Sequence, residues 1–257
     1  MYIHNLNPVL LSLGPLEVRW YGLVYVLGFL LIAYFLKKSK KELKISDDNV
    51  WDYVFYVALG VILGARLFEI FWNPSYFLSG WNILKIWEGG MSFHGGLVGA
   101  IIANYYFAKK HKIKFMVLAD IVAIPAIFIL ALGRLANFIN GELWGRAFDG
   151  DWCVNFKNTG GGDICRHPSV LYAAVKRFLV FFYLLFLSKY KEFKPGFLFW
   201  NLVFFEGLGR IFVDFYREDT LHLGFSVGQW FSLVMVIAAL YAFYKYYRAD
   251  CKKLWGK

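Results

Sequence analysis

A chain of 257 residues that is 59% hydrophobic and 21% aromatic, with a mean hydropathy of +0.49, is too apolar for an ordinary soluble domain. The net charge of +10 raises nucleic acid as a partner, but the basic residues fall in short clusters between apolar runs, which excludes that reading in favour of membrane topology and lipid contact. The length suits one membrane-embedded domain over 1–257 rather than two.

Residues 1–15 have no basic stretch ahead of their apolar ones, so they read as a segment lying along the membrane interface rather than a cleavable signal peptide. A helix needs about 20 apolar residues to cross a bilayer core. Runs near that length follow at roughly 18–36, 50–72, 92–108, 116–133, 169–188, 196–213 and 227–247. Basic clusters come after the first, third, fifth and seventh: Lys37, Lys38, Lys40, Lys41 and Lys44; Lys109, Lys110, Lys112 and Lys114; Lys189, Lys191 and Lys194; Lys245, Arg248, Lys252, Lys253 and Lys257. All four then lie on one side, which the positive-inside rule makes cytoplasmic. The expectation is an all-α polytopic integral membrane bundle of about seven transmembrane helices, N-terminus outside and C-terminus cytoplasmic.

The outward connections are then Asn73–Met91, Arg134–Pro168 and Asp214–Ser226. The middle one is a polar loop at about 134–168, with a flexible Gly160-Gly161-Gly162-Asp163 stretch that suits a small flap. Cys153 and Cys165 flank it on the predicted oxidising side, where a disulfide is permitted. Cys251 is expected to be free. No CxxC and no Cys/His cluster with metal spacing occurs, so neither a metal nor a cofactor is expected.

Lipid solvates polar side chains badly, so those retained in a span need a partner or a task. Arg66 and Glu69, three residues apart, read either as a local ion pair or as a functional pair. His94 sits in Gly89-Gly90-Met91-Ser92-Phe93-His94-Gly95-Gly96, where glycines leave its imidazole accessible; a near-neutral histidine is a credible proton acceptor, and helix packing is the alternative. Asp120 reads as a cap at the inner end of the fourth span. The densest run is Gly133-Arg134-Leu135-Ala136-Asn137-Phe138-Ile139-Asn140-Gly141-Glu142-Leu143-Trp144-Gly145-Arg146, at the outer end of that span. His167-Pro168-Ser169 looks like a helix start. Arg210 has Glu206 and Asp214 four residues to either side, a pairing that would let it be buried yet still present its fork to an anion. Arg217, Glu218 and Asp219 read as a solvated ionic cluster.

His94, Arg134 and Arg210 thus fall at outward span ends, where arginines suit the phosphate of a phospholipid. A lipid transporter would bind headgroups without chemistry, but such proteins tend to show internal repeats, which the two halves do not. A non-catalytic assembly protein would not concentrate arginine, amide and glycine in fourteen residues.

The Gly133–Arg146 run, with Arg19-Trp20-Tyr21-Gly22, the His94 segment, His167-Pro168-Ser169-Val170-Leu171-Tyr172, Arg210 through Arg217 and Ser226-Val227-Gly228-Gln229, resembles bacterial prolipoprotein diacylglyceryl transferases over nearly the whole chain. The resemblance implies a multi-pass protein of the bacterial cytoplasmic (inner) membrane with its active site towards the outer face. It implies transfer of the diacylglyceryl group of phosphatidylglycerol to the thiol of a lipobox cysteine in a prolipoprotein, forming a thioether and releasing glycerol phosphate. His94 would be the catalytic base, because the thiolate is the nucleophile. Arg134 and Arg210 would stabilise the leaving phosphate. Tyr21, Asn137, Asn140, Glu142, Gly145 and Asp214 would bind the lipid with them. Four positions depart from the family pattern: Val170 and Ala173 stand where Gln and Glu are usual, Glu206 where Tyr is common, and Asp214 where Glu is.

Overall fold

The computed structural model describes residues 1–14, 16–77, 82–85 and 89–254. Parts of the connection expected at Asn73–Met91, and Lys257 of the last basic cluster, lie outside the described residues. The chain is mostly helical: α1 (Trp20–Leu43), α2 (Asp47–Trp72), the single turn α3 (Pro74–Phe77), α4 (Phe93–Lys110), α5 (Phe115–Asn140), α6 (Ser169–Tyr190), α7 (Phe197–Asp214), α8 (Val227–Tyr246) and α9 (Arg248–Leu254). Of these, α1, α2, α5, α6 and α8 are long and apolar enough to cross a membrane. The other two predicted spans form helices of 18 residues, α4 and α7, but fall short of that character. Glu206, Arg210 and Asp214 interrupt α7, while α4 is diluted by glycines, His94, Asn104 and two lysines.

Short strands accompany the helices, and the all-α expectation did not include them: β1 (Tyr2–Ile3), β2 (Val9–Leu13), β3 (Leu16–Arg19), β4 (Val154–Asn155), β5 (Cys165–Arg166), β6 (Leu221–His222) and β7 (Phe225–Ser226). β1 pairs parallel with β4, which pairs antiparallel with β5; β2–β3 and β6–β7 are hairpins. The N-terminal segment, expected to lie along the interface, forms β1 and β2, and β1 pairs with the distant β4.

The chain divides into two compact units, with the divisions falling inside α1 and α5: one comprises Met1–Gly28 and Ala123–Lys257, the other Phe29–Val122. In the second unit, Ser46 and Asn49 form a capping box that starts α2. Gly60 and Gly64 of α2 meet Gly95 and Gly99 of α4 backbone to backbone, so that a side chain at any of the four would overlap a carbonyl of the facing helix. The spacing is small-xxx-small on both helices, the pattern that lets membrane helices pack without side chains between them. Arg66 is buried and donates to the carbonyls of Asn82, Ile83 (3.1 Å), Gly89 (2.7 Å) and Gly90 (3.1 Å). Among the described residues it makes no ion pair with Glu69, which instead accepts from Asn73 (2.9 Å). Asp120 lies more than a turn inside α5 and is not its cap.

In the first unit, the Cys153–Cys165 disulfide forms (Cα–Cα 5.5 Å) and clips β4 to β5, while Cys251 is free. His4 is fully buried: its Nε2–H donates to the Phe138 carbonyl (2.7 Å), and its ring lies against Phe138 and Phe156. The glycine stretch is tied down, since Arg166 donates to the Gly161 carbonyl (2.8 Å) and Asn155 to Asp163 (2.8 Å). The loop expected from residue 134 begins only after Asn140, because α5 continues through Arg134 and Asn137, one turn apart and bonded to each other. Gly141, at φ +67°, ends it.

Candidate active site

A small cavity, partly open to solvent, lies wholly within the first unit. Its wall carries Arg134 from α5, Lys176 and Arg177 from α6, Arg210 and Asp214 from α7, and Arg217 just beyond.

Arg134 is held from behind. Its Nη1 donates to Asn137 Oδ1 (3.3 Å), Asn137 donates to Glu142 Oε1 (2.6 Å), and Asn140 reaches the same oxygen at 3.4 Å. The amides and Glu142, predicted as headgroup contacts, thus form a chain bonded to one another, and of this set Arg134 alone is in the cavity wall. Arg210 pairs with buried Asp214 (Nε to Oδ2, 3.4 Å). Asp214 also accepts from Ser226 Oγ (3.2 Å), and Ser226 caps α8 in a box with Gln229. Gly228 leaves room for the pair: a Cβ there would lie 2.6 Å from both Arg210 Nη2 and Asp214 Oδ2. The Ser226–Gln229 motif is therefore the bracket that holds Asp214.

The predicted pairing of Glu206 with Arg210 is not what forms. Glu206 is taken by α6: Lys176 Nζ lies 2.6 Å from its Oε2, and Arg177 reaches Oε1 with Nη2 (2.5 Å) and Nε (3.1 Å). Arg177 also donates to the Leu130 carbonyl on α5 (3.1 Å), so one buried ionic cluster ties α5, α6 and α7 together. Breaking such a cluster by removing one partner typically costs about 3–5 kcal/mol. Sequence reading missed Lys176 and Arg177, although two adjacent cations inside an otherwise apolar span were the signal.

Arg217 is also misplaced by the solvated reading. Its side chain is 17% exposed, pairs with Asp219 (3.0 Å) and lines the cavity, where its Nε is buried with no hydrogen-bond partner among the described residues. An orphaned guanidinium donor in a cavity wall is a place for an acceptor. Glu218 pairs instead with Arg166.

Gly145 lies where His167 and Tyr216 converge, and a Cβ there would overlap both carbonyls. Its closeness is to protein backbone: Arg146 N–H donates to Tyr216 O, and His167 N–H to Arg146 O. Arg146 Nε donates to the Arg217 carbonyl (2.9 Å). His167 stacks on Phe148 (3.9 Å between centroids), and burial holds its imidazole below the usual histidine range. It is a packing residue at the entry to α6. Tyr21, on α1, is half-exposed and packs edge-on against Tyr25. His94 belongs to the second unit, in the first turn of α4, exposed and beside Phe68 and Phe93. Gly95 next to it is occupied with the α2 crossing rather than with a ligand.

Cationic side chains converging on a small cavity, with five helices among the described residues long and apolar enough to cross a membrane, have the chemistry that suits a phosphate-bearing ligand in a membrane protein. The family model for prolipoprotein diacylglyceryl transferase matches residues 8–245. The chain is 46% identical over 250 residues to a phosphatidylglycerol–prolipoprotein diacylglyceryl transferase of Geobacter sulfurreducens, covering 93% of this chain and 95% of that protein. Proteins of the same name from Rickettsia rickettsii (42% identical; 94% and 97% covered) and Brucella anthropi (40%; 91% and 87%) are also similar. The chain belongs to the prolipoprotein diacylglyceryl transferase family.

Proposed function

We propose that this chain is a phosphatidylglycerol–prolipoprotein diacylglyceryl transferase, catalysing the first step of bacterial lipoprotein maturation. The observation that carries the reading is the cavity where Arg134, Arg210 and Arg217 converge in a member of this family. A thiolate of the lipobox cysteine attacks the glyceryl carbon of phosphatidylglycerol; a C–S bond forms, the C–O bond to phosphate breaks, and the electron pair leaves on the phosphate oxygen. Arg134 and Arg210 hold that phosphate, where charge builds in the transition state. Asp214 sets the orientation of Arg210. Asn137, Asn140 and Glu142 act through Arg134, which they hold in place, Tyr21 adds a headgroup contact, and Gly145 acts through the backbone it packs. His94, at the family's histidine position, accepts the thiol proton.

The same reading makes 1–257 one transferase domain in the bacterial cytoplasmic membrane. It has seven transmembrane helices, α4 and α7 among them, with the N-terminus and the site on the outer face. Supporting it are the one-sided basic clusters, the family match across both units, and the disulfide, which suits an oxidising compartment.

The test is transfer by purified full-length protein in vesicles, with a peptide carrying a lipobox cysteine. Vesicles with phosphatidylglycerol are expected to give a peptide heavier by one diacylglyceryl group and free glycerol phosphate, and vesicles of phosphatidylethanolamine alone neither. No modification with phosphatidylglycerol present would overturn the reading. His94→Gln is expected to lower the rate; an unchanged rate removes His94 from the mechanism. Gly228→Ala is expected to lower the rate roughly tenfold, equivalent to about 1.4 kcal/mol, by forcing Arg210 and Asp214 apart, and wild-type turnover would contradict that role.

A further inference from the structure

Lys176 stands in the cavity wall with a partner that already has another. Glu206 binds Arg177 through both oxygens (2.5 to 3.3 Å) and Lys176 through one (2.6 Å), so a single carboxylate serves two cations. Arg210 has Asp214 and Arg217 has Asp219. Arg134 makes no ion pair among the described residues. Five cationic side chains thus face three directly paired carboxylates, with Glu142 held off from Arg134 by the Asn137 amide, and the wall keeps a positive surplus.

The phosphodiester of a phospholipid carries one negative charge, whereas a phosphate monoester approaches two at neutral pH. The surplus therefore matches the departing monoester better than the bound lipid. We infer that Lys176 is a phosphate-contacting catalytic residue which meets the second negative charge as the C–O bond breaks. The inference rests on the transfer reaction proposed above: the thiol proton goes to the base, sulfur forms the C–S bond, and the electron pair of the broken C–O bond stays on the phosphate oxygen beside Lys176.

The local structure suits that task. The fork of Arg177 is fixed by Glu206 and the Leu130 carbonyl, but Lys176 is a point charge with three donors at the end of its stem; the Glu206 carboxylate takes one at 2.6 Å and the Glu206 carbonyl a longer one at 3.4 Å, which leaves one for a phosphate oxygen. The stem crosses α7 at Gly209, where a Cβ would overlap its methylenes. Gly209 is thus the slot, and Glu206 the positioning residue that anchors the ammonium at the cavity. A contact that strengthens only as charge develops raises kcat more than it lowers KM.

The experiment compares wild type, Lys176→Met and Lys176→Arg in the vesicle assay, with two added inhibitors: glycerol phosphate and its methyl diester. Wild type is expected to be inhibited at least tenfold more strongly by the monoester. Lys176→Met should lose that preference and about tenfold in kcat, with KM for phosphatidylglycerol within twofold of wild type, while Lys176→Arg keeps the preference. Should Lys176→Met fail to fold, Gly209→Ala, which displaces the stem without removing the charge, is expected to lose the preference too. Retention of the preference in the folded Lys176→Met or Gly209→Ala protein overturns the role of Lys176. So does a wild type that transfers but treats monoester and diester alike. A wild type that transfers nothing overturns the reaction itself.

Discussion

Arg134→Ala is expected to slow diacylglyceryl transfer by about 10²–10³-fold, the range seen when one preorganised donor to a developing anion is removed. Among the cavity's cations Arg134 has the strongest case for direct contact with phosphate. Its Asn137 partner is neutral, and the charge behind it, on Glu142, is reached only through that amide. The guanidinium is therefore oriented without being neutralised. Arg134→Lys restores charge but not the two-pronged geometry, and should recover only part of the rate. The measurement is the initial rate of peptide modification at saturating phosphatidylglycerol. Full activity in Arg134→Ala would remove Arg134 from the chemistry.

Gly99→Val should be the most damaging change to the scaffold. A Cβ at this position would overlap the Gly60 carbonyl, and both partners are main chain, so no rotamer change relieves the clash. Overpacking of this kind costs about 1–3 kcal/mol where side chains can yield, and the α2–α4 crossing should lose at least the upper figure. Gly96→Ala is the control: its nearest neighbours would be 3.5 Å away, an ordinary contact. Thermal unfolding in detergent should fall steeply for the first variant and hardly at all for the second. Equal stability of the two would mean that the crossing is not tight.

The helices were legible because apolar runs of membrane length leave little choice of structure. The small strands were not, since two-residue pairings such as Tyr2–Ile3 with Val154–Asn155 have no periodicity to read and depend on distant partners. In the site, Arg134, Arg210 and Asp214 were legible as isolated charges near span ends. Their partners were harder. Spacing of four suggested that Glu206 would pair with Arg210 on its own helix, but two cations on the neighbouring helix compete for it and prevail. Likewise the glycines beside His94 signalled close approach correctly, yet nothing local says whether a ligand or another helix approaches, and for Gly95 it is α2.

The pairing of β1 with β4 has a consequence for the order of events as the chain is made. Tyr2, Ile3 and His4 are translated well before their partners: the backbone they bind, at Cys153, Val154 and Asn155, and the Phe138 carbonyl that holds His4 follow some 130–150 residues later. At a synthesis rate of about 5–20 residues per second, the N-terminal strand waits on the order of ten seconds for its partner. This strand, made long before its partner, is thus late to settle, and its docking reports that the fifth helix and the clipped loop after it are already in place.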